Sequence, residues 1–238
     1  MFSERSYELE HLDKGDYTPE EYEGCLVELR RINEWLGDAR ALRASLVPEI
    51  ERAGLRSFSL LDVGAGSGEL LRAAAREARV RGWGARLVGL ELNARSARAI
   101  LEESRDFAGE IAAVHGDAFH LPFADCAFDY VICSLFTHHF RDAGVVAILR
   151  EFKRVARRRL FVIDLHRHAL AYFLYTTVGR LFLHNRLIRE DGALSIRRSF
   201  RAHELKRLAR EAQLEDVEVR RRFPFRLVLS AGKREGLN

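Results

Sequence analysis

Phe58-Ser-Leu-Leu-Asp62-Val-Gly64-Ala-Gly66-Ser-Gly68-Glu69 is the stretch on which the reading of this chain turns. The apolar run ahead of Asp62 predicts a short buried strand, and residues 69–80 predict the helix that follows it. The three glycines therefore fall on a strand-to-helix turn, where backbone passes close to a ligand and a Cβ would be in the way. Such a turn offers free amides and the positive end of a helix dipole. An acid stands two residues ahead of the first glycine.

Outward from this turn the chain alternates. Strands are expected at 58–63, 86–91, 111–116, 128–134 and 159–165, with helices at 69–80, 93–106 and 142–154 between most of them. Alternation at this spacing means βαβ units and a parallel sheet covered on both faces. A further helix is expected at 202–213, then two strands at 217–221 and 225–230 forming a hairpin around Pro224. The expected fold is α/β, a doubly wound, mostly parallel seven-stranded sheet. Residues 1–55 are expected to form an N-terminal helical cap and 56–238 the main domain, with a helical insertion at about 168–190.

In the cap, Thr18-Pro19-Glu20-Glu21 has the form of a helix start, with Thr18 capping and Glu21 reaching back. Tyr22, Cys25, Leu29, Ile32 and Leu36 then recur at three- and four-residue steps. A second helix is expected at 39–53, interrupted or restarted near Pro48. These helices allow either ordinary packing or a lid over the glycine turn. The insertion is rich in aromatic residues (Tyr172, Phe173, Tyr175, Phe182) and too short in its apolar run to cross a bilayer, which takes roughly 20 residues. It reads as a pocket wall or an interfacial anchor.

Composition narrows the function. Apolar residues make up 47 % of the 238, so a full core is available. Four of the 39 basic residues are lysine, which leaves 35 arginines against 35 acids and a net charge of +4. That balance disfavours a dedicated nucleic-acid surface, and the runs at 157–159 and 220–222 read as solvated strand ends. Cys25, Cys126 and Cys133 show neither disulfide nor zinc spacing. The start of the sequence has no signal-peptide pattern, and a cytoplasmic, reducing location is expected.

Three acids carry the chemistry. Asp62 ends the first strand, Glu91 the second (Val88-Gly-Leu-Glu91), and Asp117 follows the third (His115-Gly-Asp117-Ala118). Ligands of open α/β sheets bind along that edge. Glu91 could hold two ribose hydroxyls or cap the next helix. Asp117 could accept an adenine amine, with the Ala118 amide donating to the ring, or serve as a turn residue. A dinucleotide fingerprint wants its third glycine at position 69, where Glu69 stands. The shift disfavours a nicotinamide cofactor and favours S-adenosylmethionine, which has no pyrophosphate to cradle.

These motifs, with Leu121-Pro-Phe123, Phe128-Asp-Tyr-Val131 and Leu135-Phe-Thr-His-His-Phe140, resemble the class I S-adenosylmethionine-dependent methyltransferases. The last three most resemble the ubiquinone- and menaquinone-biosynthesis branch, which methylates small lipophilic molecules. The likeness covers about 58–165 well and the final strands loosely. It implies S-adenosyl-L-methionine as cofactor. Asp62, Gly64, Ala65, Gly66 and Gly68 would then lie at the methionine end and Glu91 on the ribose. Leu92 and Ala118 would flank the adenine, Asp117 would read its amine, and Ser134 would pass near the sulfonium.

In-line methyl transfer needs mainly alignment, and a base only when the nucleophile arrives protonated. His138 and His139 after the fourth strand, and His166 after the fifth, are the candidates for a base or for substrate contact; each could equally be a packed histidine. No metal is expected. The expected acceptor is a small phenol, quinone or polyketide-like molecule. An RNA methyltransferase is the alternative, disfavoured because Cys133-Ser-Leu-Phe136 stands where amino-methylating nucleic-acid enzymes carry an Asn/Asp-Pro-Pro-aromatic motif. Peripheral membrane contact and oligomeric state are left open by the sequence.

Overall fold

The computed structural model describes residues 2, 4–15, 17–18, 20–21, 24–25 and 37–232. Most of the first expected helix, including Leu29, Ile32 and Leu36, lies outside the described residues. Its start is described and has the expected form: Glu21 N–H donates to Thr18 Oγ1 (3.2 Å), and Thr18 N–H to Glu21 Oε2 (3.0 Å).

Seven strands form one sheet in the order β3-β2-β1-β4-β5-β7-β6. They are β1 (Ser57–Val63), β2 (Gly84–Glu91), β3 (Ile111–His115), β4 (Phe128–Ser134), β5 (Ala156–Leu165), β6 (Glu218–Arg222) and β7 (Arg226–Gly232). β1 to β5 are mutually parallel, and β7 runs antiparallel between β5 and β6. The central strands are buried on both faces, and successive residues alternate between two cores. Leu61, Val63, Val131 and Cys133 pack with α5 (Asp142–Val155) and α8 (Ala202–Glu211). Leu60, Tyr130, Ile132 and Phe161 pack with α2 (Asp38–Arg52) and α3 (Glu69–Arg81). The remaining helices are α1 (His11–Lys14), α4 (Ala94–Glu103), α6 (Ala169–Thr177) and α7 (Arg186–Arg198).

Two expectations change. α2 runs unbroken through Pro48, because Leu42 and Leu46 before it and Ile50 after it all pack into one core; burial holds the turns on either side of the proline together. That packing lays α2 against the sheet and α3. The insertion also extends to Arg198, with α7 as its longest helix. Leu183, Leu187 and Ile188 close a small separate core with Cys25, against which Leu12 and Tyr17 pack.

Candidate active site

The glycine turn is built as its spacing requires. Gly64, Gly66 and Gly68 all have positive φ (70°, 58° and 84°), which only glycine adopts without strain. A Cβ on Gly64 would stand 2.5 Å from Phe136 Cδ2, so the ring that follows β4 lies directly on the bend. Gly68 caps α3, and a Cβ there would press on Ile100 at 3.1 Å. Ala65 packs beneath the turn, where its Cβ would be 3.1 Å from one built on Gly89. Gly64→Ala is expected to cost about 1–3 kcal/mol in urea unfolding, from the left-handed φ together with the overlap on Phe136. An unchanged midpoint would show that the ring swings clear.

The acids gather at this turn. Glu91 Oε1 accepts the Gly66 N–H at 2.5 Å. It does not cap α4, because Asn93 does so, accepting from Arg95 N–H at 2.8 Å. Asp62 is buried, and its Oδ1 has no hydrogen-bond partner among the described residues. Burial first, and then the neighbouring charge of Glu91, push its carboxyl up to about 8. Burial likewise raises Glu91, against which the Gly66 and Leu92 amides pull down. Ser134 Oγ, on the adjacent strand β4, is a second buried polar atom without a partner among the described residues. An orphaned buried carboxyl beside a second acid is an arrangement that a cationic group would relieve.

Of the two roles open to Asp117, the structure shows that of a turn residue. Its Oδ1 accepts the Phe119 N–H at 2.9 Å, closing a turn, and its Oδ2 lies 3.4 Å from His120 Nδ1. Ala118 is buried beside it, whereas the Leu92 side chain is 69 % exposed on the neighbouring loop. An apolar side chain left in water at that edge offers a face on which a planar base can lie.

The three histidines separate. His138 is buried, its Nδ1 is 2.6 Å from Asp164 Oδ1, and its Nε2 faces Glu10 at 4.0 Å. Asp164 also accepts from the Thr137 hydroxyl (2.6 Å) and the His138 and Leu165 amides. Burial would raise Asp164, but the facing His138 and these donors outweigh it and bring it down to about 2. His139 stacks on His138 with ring centroids 4.3 Å apart. His166 instead lines a basin of about 860 Å³ over the ends of β5, β7 and β6, with Phe223, Phe225, Arg221 and Arg222. Burial, then Arg221, His168, Arg201 and Arg167, push its imidazole down to about 4.

Two parts of this arrangement carried no signal in the sequence. Arg5 donates to Asp142 (2.7 Å) and to the carbonyls of Arg198 and Phe140, while Arg198 donates to the His139 carbonyl (2.7 Å). The two arginines thus hold the 138–140 turn from chain positions nearly 200 residues apart. Glu10 completes the network: with His138 and His139 it brings three metal-ligand atoms within 4.8 Å of one another. However, its Oε1 accepts the Ser195 hydroxyl at 2.7 Å and lies 3.5 Å from Arg198, and that guanidinium opposes a metal cation there. The second part is Arg220-Arg-Arg222, read as a solvated strand end, of which Arg221 and Arg222 wall the basin. The run at 157–159 is ion-paired: Arg157 with Asp129 (3.0 Å), and Arg159 with Glu49 (3.3 Å) and Asp216.

Residues 60–159, from β1 into β5, match the family model described as a methyltransferase domain. These residues form a methyltransferase domain. No curated protein matches it. Among solved structures it is similar to an S-adenosylmethionine-dependent methyltransferase from Aquifex aeolicus (15 % identity, TM-score 0.58, 85 % of this chain and 97 % of that one). It is also similar to magnesium protoporphyrin IX methyltransferase from Synechocystis PCC 6803 with bound S-adenosylhomocysteine (16 %, 0.56, 83 % and 84 %). A third is an O-methyltransferase, so described as a putative one, from Nostoc punctiforme PCC 73102 (19 %, 0.59, 84 % and 60 %). At these identities the likeness is one of fold.

The chemistry of the residues at the turn fits S-adenosylmethionine. Glu91 offers negative charge to a molecule bearing an ammonium and a sulfonium, Asp62 adds to it where a bound cation draws off its proton, and the glycine turn gives room. Among the described residues no helix is long and apolar enough to cross a membrane.

Proposed function

We propose that this methyltransferase moves a methyl group to a small aromatic or lipophilic acceptor by in-line displacement. The adjacency of two sites carries this reading. The acidic turn sits at the carboxyl end of β1, and the basin at the carboxyl end of β5, with only β4 between them. Two strand spacings are about 10 Å, so one edge of the sheet holds a donor site and an aromatic-walled cavity side by side. Asp62, Glu91, Asp117 and Ser134 would hold the cofactor, which supplies the activated methyl group. The protein's part is to align the acceptor and keep water out.

Among the candidate bases, His166 is the one that faces the basin. Held near 4, its imidazole is neutral at physiological pH, so a ring nitrogen is free of its second proton although only weakly basic. His138 is enclosed between Asp164 and Glu10, which suits positioning of the turn. A labelled-methyl assay against phenols, quinones and polyketide-like lipids tests the reading. Label is expected on one class of acceptor, with the rate at saturating donor falling as pH approaches about 4 and not near 6.5. Label appearing on RNA and on none of these small molecules would overturn it.

A further inference from the structure

The basin's walls are more specific than an apolar pocket requires. Besides Phe2, Phe223 and Phe225, it is lined by five arginines and by His166, His168 and His203, and by no carboxylate among the described residues. Two of the arginines are already spoken for. Arg226 is bound to Asp38 at 2.5 Å, and Arg167 to Glu204 at 2.5 Å. Arg201, Arg221 and Arg222 have no carboxylate partner among the described residues, and Arg222 Nε is buried with no hydrogen-bond partner among them.

The fold assembles this charge deliberately. Strand pairing sets Leu165 beside Arg226 and Arg226 beside Arg222, which brings the ends of β5, β7 and β6 to one edge. His166 then bridges to Phe200, so the start of α8, with Arg201 and His203, closes another wall. The resulting field is strong enough to act on His166, whose charged form it disfavours. A cavity lined by three uncompensated guanidiniums and by aromatic rings suits a flat or greasy body carrying an acidic group.

We propose that the acceptor is an organic anion: an aromatic or lipophilic molecule whose carboxylate or phosphate is held by Arg201, Arg221 and Arg222. This rests on the methyl-transfer reading only for the word acceptor; the anion site stands on its own residues. A negatively charged ligand would also lie close to His166 and restore part of its basicity, so that the acid which anchors the acceptor also primes the proton acceptor beside it.

The test is calorimetric titration of the full chain, preloaded with S-adenosylhomocysteine, with three probes of one shape: 2-naphthoate, 2-naphthyl phosphate and the neutral 2-naphthamide. At least one anion is expected to bind tenfold or more tightly than the amide, and the better of the two identifies the acid group. The double variant Arg221→Ala, Arg222→Ala, changed only on the edge strand, should lose that preference, and Arg221→Lys, Arg222→Lys should keep part of it. Affinity for S-adenosylhomocysteine should be the same in all three proteins. Equal binding of anion and amide, or a preference unchanged in the alanine variant, overturns the proposal. Failure to bind S-adenosylhomocysteine would instead strike the methyl-transfer reading and leave the anion result intact.

Discussion

Asp62→Asn is expected to weaken S-adenosylhomocysteine binding about a hundredfold while making the free protein more stable. Both effects have one cause. The Asp62 carboxyl is buried without a hydrogen-bond partner for Oδ1 among the described residues and shares its surroundings with Glu91. A cationic ligand relieves that arrangement, and an amide cannot reward it equally. In the free protein the same carboxyl is held at about 8 against an ordinary 3.8. Its folded pKa is raised, so the stability tied to the neutral form is complete below 3.8 and is lost as pH rises through about 8. The asparagine variant escapes that loss, and its advantage should grow across this window to about 1–3 kcal/mol. Cofactor affinity of the unaltered protein should rise over the same pH range, because binding a cation favours the carboxylate. Urea unfolding and calorimetry at pH 6, 7 and 8.5 measure both; an unchanged dissociation constant in the variant would remove Asp62 from the site.

Asp164→Ala should be the most damaging single change to stability, costing about 3–5 kcal/mol. It leaves His138 Nδ1 and the Thr137 hydroxyl, both buried, without the carboxylate they now face. Asp164 has a depressed folded pKa, about 2, so its contribution is complete above 3.8 and vanishes only as pH falls through 2. The loss should therefore be seen in full at neutral pH. Asp164→Asn keeps an oxygen to accept from Thr137 and should lose less. Because the 137–139 turn directly follows Phe136, which lies on the glycine bend, cofactor affinity should fall along with stability. Equal urea midpoints for the alanine variant and the parent would show the pair to be incidental.

The parts of the molecule that were legible beforehand are those with local signals. Glycine spacing fixed the bend, apolar runs fixed β1, β2 and β4, and the acids at 62, 91 and 117 marked one edge because parallel strands put their carboxyl ends there. The basin has no local signal. Arg221 and His166 are 55 positions apart in sequence and meet only because β7 returns antiparallel to β5, with β6 beyond it. Arginines at a strand terminus look alike whether water or a ligand receives them. Similarly, nothing around Arg5 or Glu10 announces that they reach the turn after β4. The unbroken path of α2 through Pro48 is a third case, since tertiary burial outweighed a local breaker.

β6 closes one margin of the sheet, and along it Glu218, Arg220, Arg221 and Arg222 follow almost without an apolar break. An outermost strand invites a foreign strand to zip alongside it, and like charges in a row repel that visitor. The guanidiniums that would draw an acid into the basin thus also keep one copy of the sheet from growing onto another. Arg221 and Arg222 would then serve both ends at once, so drift in the ligand's charge is constrained by the risk of aggregation.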